Sequence, residues 1–297
     1  MEPTVSVIVA TYRRDNVLRR AIESLTEQTY SNFEVIVVDD NDNEEWNRKV
    51  KELIDEYRSA NPSISLKYIR NRTTIGSART RNAGIEASAG EFVCFLDDDD
   101  LYLPDRIKNQ VLPMISENAD YSVTNLALYS ESGKLVETRK RGYLKETSAG
   151  MLMKYHLMYH IAGTDTMMFR RDYLTKIGGF SPIDVGDEFY LMLKAIEGGG
   201  NFLHVPVCDV KAYVHTGDGG LSSGQQKIDG ENALYEYKKK YFDRLDKKSI
   251  RYIRMRHYAV LAYAYYRKKQ YGRFLRESIK SFFVSPTGAV SVLLNKC

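Results

Sequence analysis

Four consecutive aspartates, Asp97 to Asp100, follow directly on the apolar run Phe92-Val93-Cys94-Phe95-Leu96. That run has the length of a strand, so the carboxylates leave the end of a buried element side by side. Like charges a few ångströms apart in partly desolvated surroundings repel by roughly several kcal/mol, and a counterion is expected. Hard carboxylate oxygens select Mg2+, Mn2+ or Ca2+ over zinc, and Mg2+ is usually held by one or two carboxylates together with substrate phosphates. The plain alternative is a solvated acidic loop. Ligands in open α/β sheets bind beyond the carboxyl ends of strands, which favours the cation. Cys94, Cys208 and Cys297 show neither CxxC nor zinc-ligand spacing, so a disulfide framework and a zinc site are both unexpected.

The elements that must position these acids are legible upstream. Residues 5–10 and 33–38 are β-branched apolar runs, nearly continuous, as in parallel strands covered on both faces. Leu18, Ala21, Ile22 and Leu25 repeat at helical spacing between them, with Asp15 or Asn16 able to cap the helix start. A second helix carries Trp46, Val50, Leu53, Ile54 and Tyr57 on one stripe. A strand near 66–69 and a helix over 77–87 then lead into the strand before the aspartates. After Pro104 a helix to about Ser116 is expected. Further on, the patterns predict a hairpin (121–129 and 134–138, turning at Ser132-Gly133), a strand at 166–169, a helix from Asp187 to Ile196, and strands at 202–205 and 210–215.

The 297 residues can hold one large α/β domain with an appendage, or two modest domains, and no apolar run reaches the length of about 18 that a membrane span needs. The amino terminus shows no secretory signal pattern, so a cytoplasmic location is expected. Charge is unevenly distributed. Residues 1–230 carry 27 Lys and Arg against 34 Asp and Glu, whereas residues 231–297 carry 16 against 5. A basic, tyrosine-rich helical tail of this kind suits an anionic partner, whether a membrane surface, an acidic protein or nucleic acid. Residues 216–226, rich in Gly and Ser, read as a loop.

Three groups of residues, in this order, resemble family 2 of the nucleotide-sugar glycosyltransferases with the GT-A fold. The first is Val7-Ile8-Val9-Ala10-Thr11-Tyr12-Arg13-Arg14 with Val37-Val38-Asp39-Asp40. The second is Gly76, Arg81-Asn82-Ala83-Gly84-Ile85 and Gly90-Glu91-Phe92. The third is Phe95-Leu96-Asp97-Asp98-Asp99-Asp100 with Leu103-Pro104-Asp105. The resemblance covers roughly residues 4–217. It implies an α/β, Rossmann-like, mostly parallel sheet flanked by helices: a catalytic domain at 1–217, with a nucleotide-sugar half at 1–103 and an acceptor half at 104–217. A loop and a basic helical extension would follow at 218–297.

The same resemblance implies roles. The segment holding Thr11, Tyr12 and Arg14 lines a uracil pocket, and Asp39 accepts from the uracil N3–H. Gly76, Arg81 and Asn82 lie near the donor, where Arg neutralises phosphate and Asn hydrogen-bonds ribose or sugar; Arg79 is a weaker candidate. Asp97 and Asp98 stand near ribose or sugar, Asp99 is the main ligand to Mn2+ or Mg2+, Asp100 caps the next helix or orients the others, and His215 completes metal or diphosphate binding. Asp187-Glu188 occupies the place where the family usually shows Glu-Asp. By position Glu188 is the base, but its side chain is one methylene longer than the usual Asp, and Asp187 stays open as the alternative. Thr164 and Asp165 are weak candidates to face the acceptor.

The expected activity is an inverting transfer from a UDP-sugar to a hydroxyl of a glycan or lipid-linked acceptor, in polysaccharide or cell-surface glycan synthesis. No nucleic acid beyond the donor nucleotide is implied, and a peripheral membrane contact through the basic tail is compatible. A non-catalytic sugar-nucleotide binder would keep Asp39 and Asp99. A dehalogenase-like phosphotransferase would carry its acid after the first strand, and a nucleotidyltransferase would need a glycine-rich loop where Thr11-Tyr12-Arg13-Arg14 stands. An EF-hand fails because its twelfth position would be Lys108.

Overall fold

The computed structural model describes residues 3–183, 185–214 and 224–294, with side chains to residue 290. These residues fall into two compact units, one drawn from 1–152 and 161–215, the other from 153–160 and 216–297.

The first unit opens with alternating strands and helices: β1 (Val5–Thr11), α1 (Asn16–Thr26), β2 (Phe33–Asp39), α2 (Glu44–Ala60), β3 (Ser65–Arg70), α3 (Ser77–Ala87) and β4 (Phe92–Phe95). Every residue of β2, and all but Ala10 of β1, is buried, as the unbroken apolar runs require of strands covered on both faces. Helix α1 buries Leu18, Ala21, Ile22 and Leu25. Asn43 caps α2 by accepting from the backbone N–H groups of Glu45 and Trp46. Helix α3 lies tight against the sheet at Gly84, where a Cβ would come within 2.4 Å of Ile8 Cγ2.

Next come β5 (Leu101–Tyr102), α4 (Arg106–Ser116), β6 (Tyr121–Thr124), β7 (Leu126–Ser130), β8 (Leu135–Arg139), α5 (Ala149–Tyr159), β9 (Met167–Arg170), α6 (Arg171–Lys176), α7 (Asp187–Glu197), β10 (Phe202–Val205) and β11 (Val210–Val214). Seven strands form the main sheet in the order β10-β6-β9-β4-β1-β2-β3, parallel except at β9, which is antiparallel to both β4 and β6. The other four form a smaller sheet, β5-β11-β7-β8.

The strand expected at 121–129 is thus two strands in different sheets. All of Tyr121–Thr124 is buried, between β9 and β10, and the chain leaves that sheet at Asn125. The Asn125 N–H donates to the Val207 carbonyl, and its Oδ1 accepts from the Arg141 N–H. The hairpin that does form joins β7 to β8. Helix α5 was not foreseen, because its apolar residues are spread around the helix without a stripe.

The second unit is helical: α8 (Gly224–Lys239), α9 (Lys247–Arg267), α10 (Tyr271–Val284) and α11 (Pro286–Leu294). Asp246 caps α9 through the Ser249 N–H and also pairs with Lys154 at 2.6 Å. Buried Glu231 accepts from His257, whose ring stacks on Tyr235 at 4.0 Å.

Candidate active site

The carboxyl ends of three adjacent parallel strands deliver most of the expected residues to one edge of the sheet. Thr11 stands in register with Asp39 on β2, and Ile8 with Phe95, beyond which Asp97–Asp100 follow. The Thr11 hydroxyl donates to Asp98 Oδ2 at 2.7 Å, and Arg14 Nη2 donates to Asp99 Oδ2 at 3.2 Å. Tyr12 is exposed beside the Arg13 guanidinium.

Asp39 is wholly buried and accepts four hydrogen bonds, from the Asn41 N–H, Asn41 Nδ2, Asn47 Nδ2 and the Tyr68 hydroxyl. A carboxylate has about four acceptor positions, so a nucleobase N–H would have to displace one of these partners. The adjacent Asp40 orders the approach to α3 by accepting from Asn71 Nδ2 and from the Ile75 and Gly76 N–H groups. Gly76 adopts a φ of 88°, which lets the chain turn into α3.

Helix α3 then presents Arg81 and Asn82 on its inner side, while Arg79 is exposed. Asn82 closes both ends of its amide on the Phe180 backbone, donating to the carbonyl at 2.9 Å and accepting from the N–H at 2.8 Å. Arg81 joins two acids from distant parts of the chain: Nη2 donates to Asp97 Oδ1 at 2.6 Å and Nη1 to Asp187 Oδ2 at 2.5 Å. Burial alone would make this guanidinium easier to deprotonate, but Asp187 and Asp97 hold it firmly protonated.

The four aspartates are electrostatically unequal. Burial, reinforced by the Asp99 charge, pushes the Asp98 carboxyl up to about 7. Asp100 is raised well above the usual range by burial and by Asp165, and its Oδ1 accepts from the Tyr213 N–H. Asp165 Oδ1 accepts from the Asp97 N–H at 2.6 Å, and burial with the Asp97 charge lifts its carboxyl to about 7. Asp97, Asp100 and Asp165 can each bring one oxygen within 4.8 Å of the other two. Behind them lies Arg106, fully buried, donating to the Asp165 carbonyl and resting on the Tyr102 ring.

The donors are all carboxylate oxygens, and burial raises the Asp100 and Asp165 carboxyls, a condition that a hard divalent cation relieves, so the residues fit Mn2+ or Mg2+. Asp99, the ligand named by the resemblance, faces Arg14, whereas the tightest acid group is Asp97, Asp100 and Asp165. His215 and residues 216–223 of the expected loop lie outside the described residues, and residues 224–226, expected in that loop, instead begin α8.

Helix α7 begins at Asp187, just after Gly186 in a left-handed turn. Asp187 Oδ1 accepts from the Glu188 N–H while Oδ2 holds Arg81. Burial raises the Asp187 carboxyl, and the Arg81 charge opposes the rise. Glu188 is pushed up to about 7, by burial first and then by the Asp187 charge. Such a group is ionised half the time near neutrality, which suits a general base.

Asp165 was foreseen only as an acceptor-facing residue, and Arg106 was not foreseen. The antiparallel register that sets Cys94 opposite Met168 also sets Asp165 beside Asp97, a pairing that no local pattern shows. A single Asp just ahead of the apolar run Met167–Phe169 was the available signal.

Comparison with known proteins gives the family and the fold. An uncharacterised glycosyltransferase of Haemophilus influenzae is 33% identical over 65% of this chain and 62% of its own length. An Escherichia coli protein named UDP-Glc:alpha-D-GlcNAc-diphosphoundecaprenol beta-1,3-glucosyltransferase WfgD is 28% identical over 48% of this chain and 54% of its own length. The matches thus span less than two thirds of these relatives. A mannosyltransferase of Pyrobaculum calidifontis, solved with GDP-Man and Mn2+, shares the fold at a TM-score of 0.62 and 17% identity, covering 99% of this chain and 79% of that one. The fold is GT-A, a mostly parallel α/β sheet with a helical carboxyl-terminal region. The sequence profile described as "Glycosyl transferase family 2" matches residues 6–178, well over half of the chain, and the chain belongs to that family.

Proposed function

We propose that this glycosyltransferase moves a sugar from a UDP-sugar to a hydroxyl of a glycan or lipid-linked acceptor, with inversion at the anomeric carbon. The observation that carries the reading is the division of labour at the start of α7. Asp187 is engaged on both oxygens, by Arg81 and by the Glu188 N–H, while the neighbouring Glu188 has a carboxyl tuned to about 7.

Glu188 takes the proton of the acceptor hydroxyl as its oxygen forms a bond to the anomeric carbon. The bond from that carbon to the diphosphate oxygen breaks, and the nucleoside diphosphate leaves with the electron pair. Asp187 orients the base through the turn it shares with Glu188, and the Arg81 charge opposes the rise that burial imposes on that acid. Thr11, Tyr12, Arg14, Asp39 and Gly76 surround the nucleotide, with Tyr68 or Asn47 yielding its bond to Asp39 when a uracil enters. A divalent ion, bound by Asp99 beside Asp97 and Asp98, would neutralise the charge that develops on the leaving diphosphate. His215 would complete that set.

The donor and lipid-linked acceptor in the E. coli relative's name support the UDP-sugar and a role in surface-glycan synthesis, and the Mn2+ of the P. calidifontis structure supports the metal. A panel of UDP- and GDP-sugars, assayed with Mn2+ for nucleotide release, tests the proposal. One UDP-sugar should be turned over in the presence of acceptor, and Glu188→Gln should lower turnover by at least about 100-fold while donor binding persists. Full activity of Glu188→Gln would overturn it, and donor binding without release by the wild type would leave a sugar-nucleotide binder.

A further inference from the structure

Helix α10 is amphipathic in the unusual sense. Its polar residues Glu277 and Ser281 are the buried ones, at 2% and 3% exposure, and the Ser281 hydroxyl donates to the Met255 carbonyl of α9. Its large apolar residues face outward: Tyr271, Leu275, Ile279, Phe282 and Phe283 are each about half exposed or more, and Phe283 reaches 79%.

At about 100° per residue these five side chains share a sector of about 120°. Tyr263 and Tyr266 of α9, both more than half exposed, extend it, with the Tyr266 ring against Tyr271. Alongside the apolar sector run Arg273, Arg276 and Lys280, all exposed. Arg276 and Lys280 are steadied by Glu277, at 2.8 and 3.0 Å. A helix of a water-soluble surface turns its apolar face to the core. This one does the reverse.

We infer that α10 is an interfacial helix that docks this unit on an anionic lipid bilayer. Its aromatic and aliphatic sector enters the boundary between headgroups and acyl chains, while Arg273, Arg276 and Lys280 meet lipid phosphates. No helix among the described residues is long and apolar enough to cross a membrane, so the contact is with one leaflet. The charge of the tail, 16 basic against 5 acidic residues over 231–297, complements such a surface and opposes pairing of two identical basic strips across an interface between copies.

Co-sedimentation of the full chain with phosphatidylcholine vesicles, with and without phosphatidylglycerol, tests the inference. The chain should partition at least about tenfold more strongly onto the anionic vesicles, and high salt should release it. Leu275→Ser with Phe283→Ser should lower that partitioning at least about tenfold. These side chains are exposed, so the thermal midpoint should hold; Phe283→Ser alone gives a second, milder reading. Arg273→Gln with Arg276→Gln should weaken anionic binding by about fivefold per charge. Glu188→Gln, inert in transfer, should still bind vesicles like the wild type, which separates this surface from the catalytic proposal. Equal binding by wild type and the apolar variant, or no binding to either vesicle, would overturn the inference. A dimer that dissociates in the apolar variant, without vesicle uptake, would assign the face to a second copy instead.

Discussion

Asp187 and Glu188 are neighbours in sequence and burial raises both carboxyls, yet it is Asp187 that Arg81 holds. The proposed base must be ionised to accept a proton and its carboxyl is raised to about 7, so under that proposal kcat/KM should rise with pH and level off above about 7. Below that value the rate should fall about tenfold per pH unit, and a flat profile from pH 5 to 8 would remove Glu188 from the role. Stability carries the opposite sign. The folded protein holds this proton longer than the unfolded chain, so the contribution of Glu188 is greatest below its ordinary value of 4.5 and is lost as pH rises towards 7. Denaturant unfolding of Glu188→Gln should therefore depend less on pH across that window. Residue types and spacing singled out the aspartate run, and the family resemblance singled out the acid pair. The partners did not show: Arg81 meets an aspartate 106 positions away, and only the closed fold brings the two to 2.5 Å.

At the scale of elements, the strands and helices up to β4 were legible because buried parallel strands must be continuous apolar runs and the helices between them carry clear stripes. Helix α5, with no stripe, was hidden. The change of sheet at Asn125 was hidden too, since two short strands separated by one residue read as one. Helix α3 shows how packing reaches the site. Its Gly84 lies against Ile8 of β1, and Arg81 is one turn away on the same helix. Gly84→Ala should overpack this contact and destabilise the protein by about 1–3 kcal/mol in denaturant unfolding. Turnover should fall beyond what the lost stability explains, because α3 moves with Arg81. Gly142→Ala, whose Cβ would meet nothing within 4 Å, is the matched control.

For the molecule as a whole, the concentration of buried acid makes cation binding a stability measurement. Mn2+ that binds only the folded chain should raise Tm with its concentration, and a chelator should reverse the rise. Asp99→Asn should abolish the shift if Asp99 is the ligand. Asp165→Asn should retain it. The reverse result would place the ion among Asp97, Asp100 and Asp165.

Arg81 has a consequence beyond structural support. One guanidinium holds an acid of the β4 run with one nitrogen and, with another, the acid next to Glu188. A cation that drew Asp97 away would leave Asp187 and the Phe180 ring to hold that guanidinium among the described residues, so occupancy on one side would be felt on the other. Such coupling is reciprocal. An acceptor affinity measured on the empty protein is therefore a different quantity from one measured after the activated sugar has arrived.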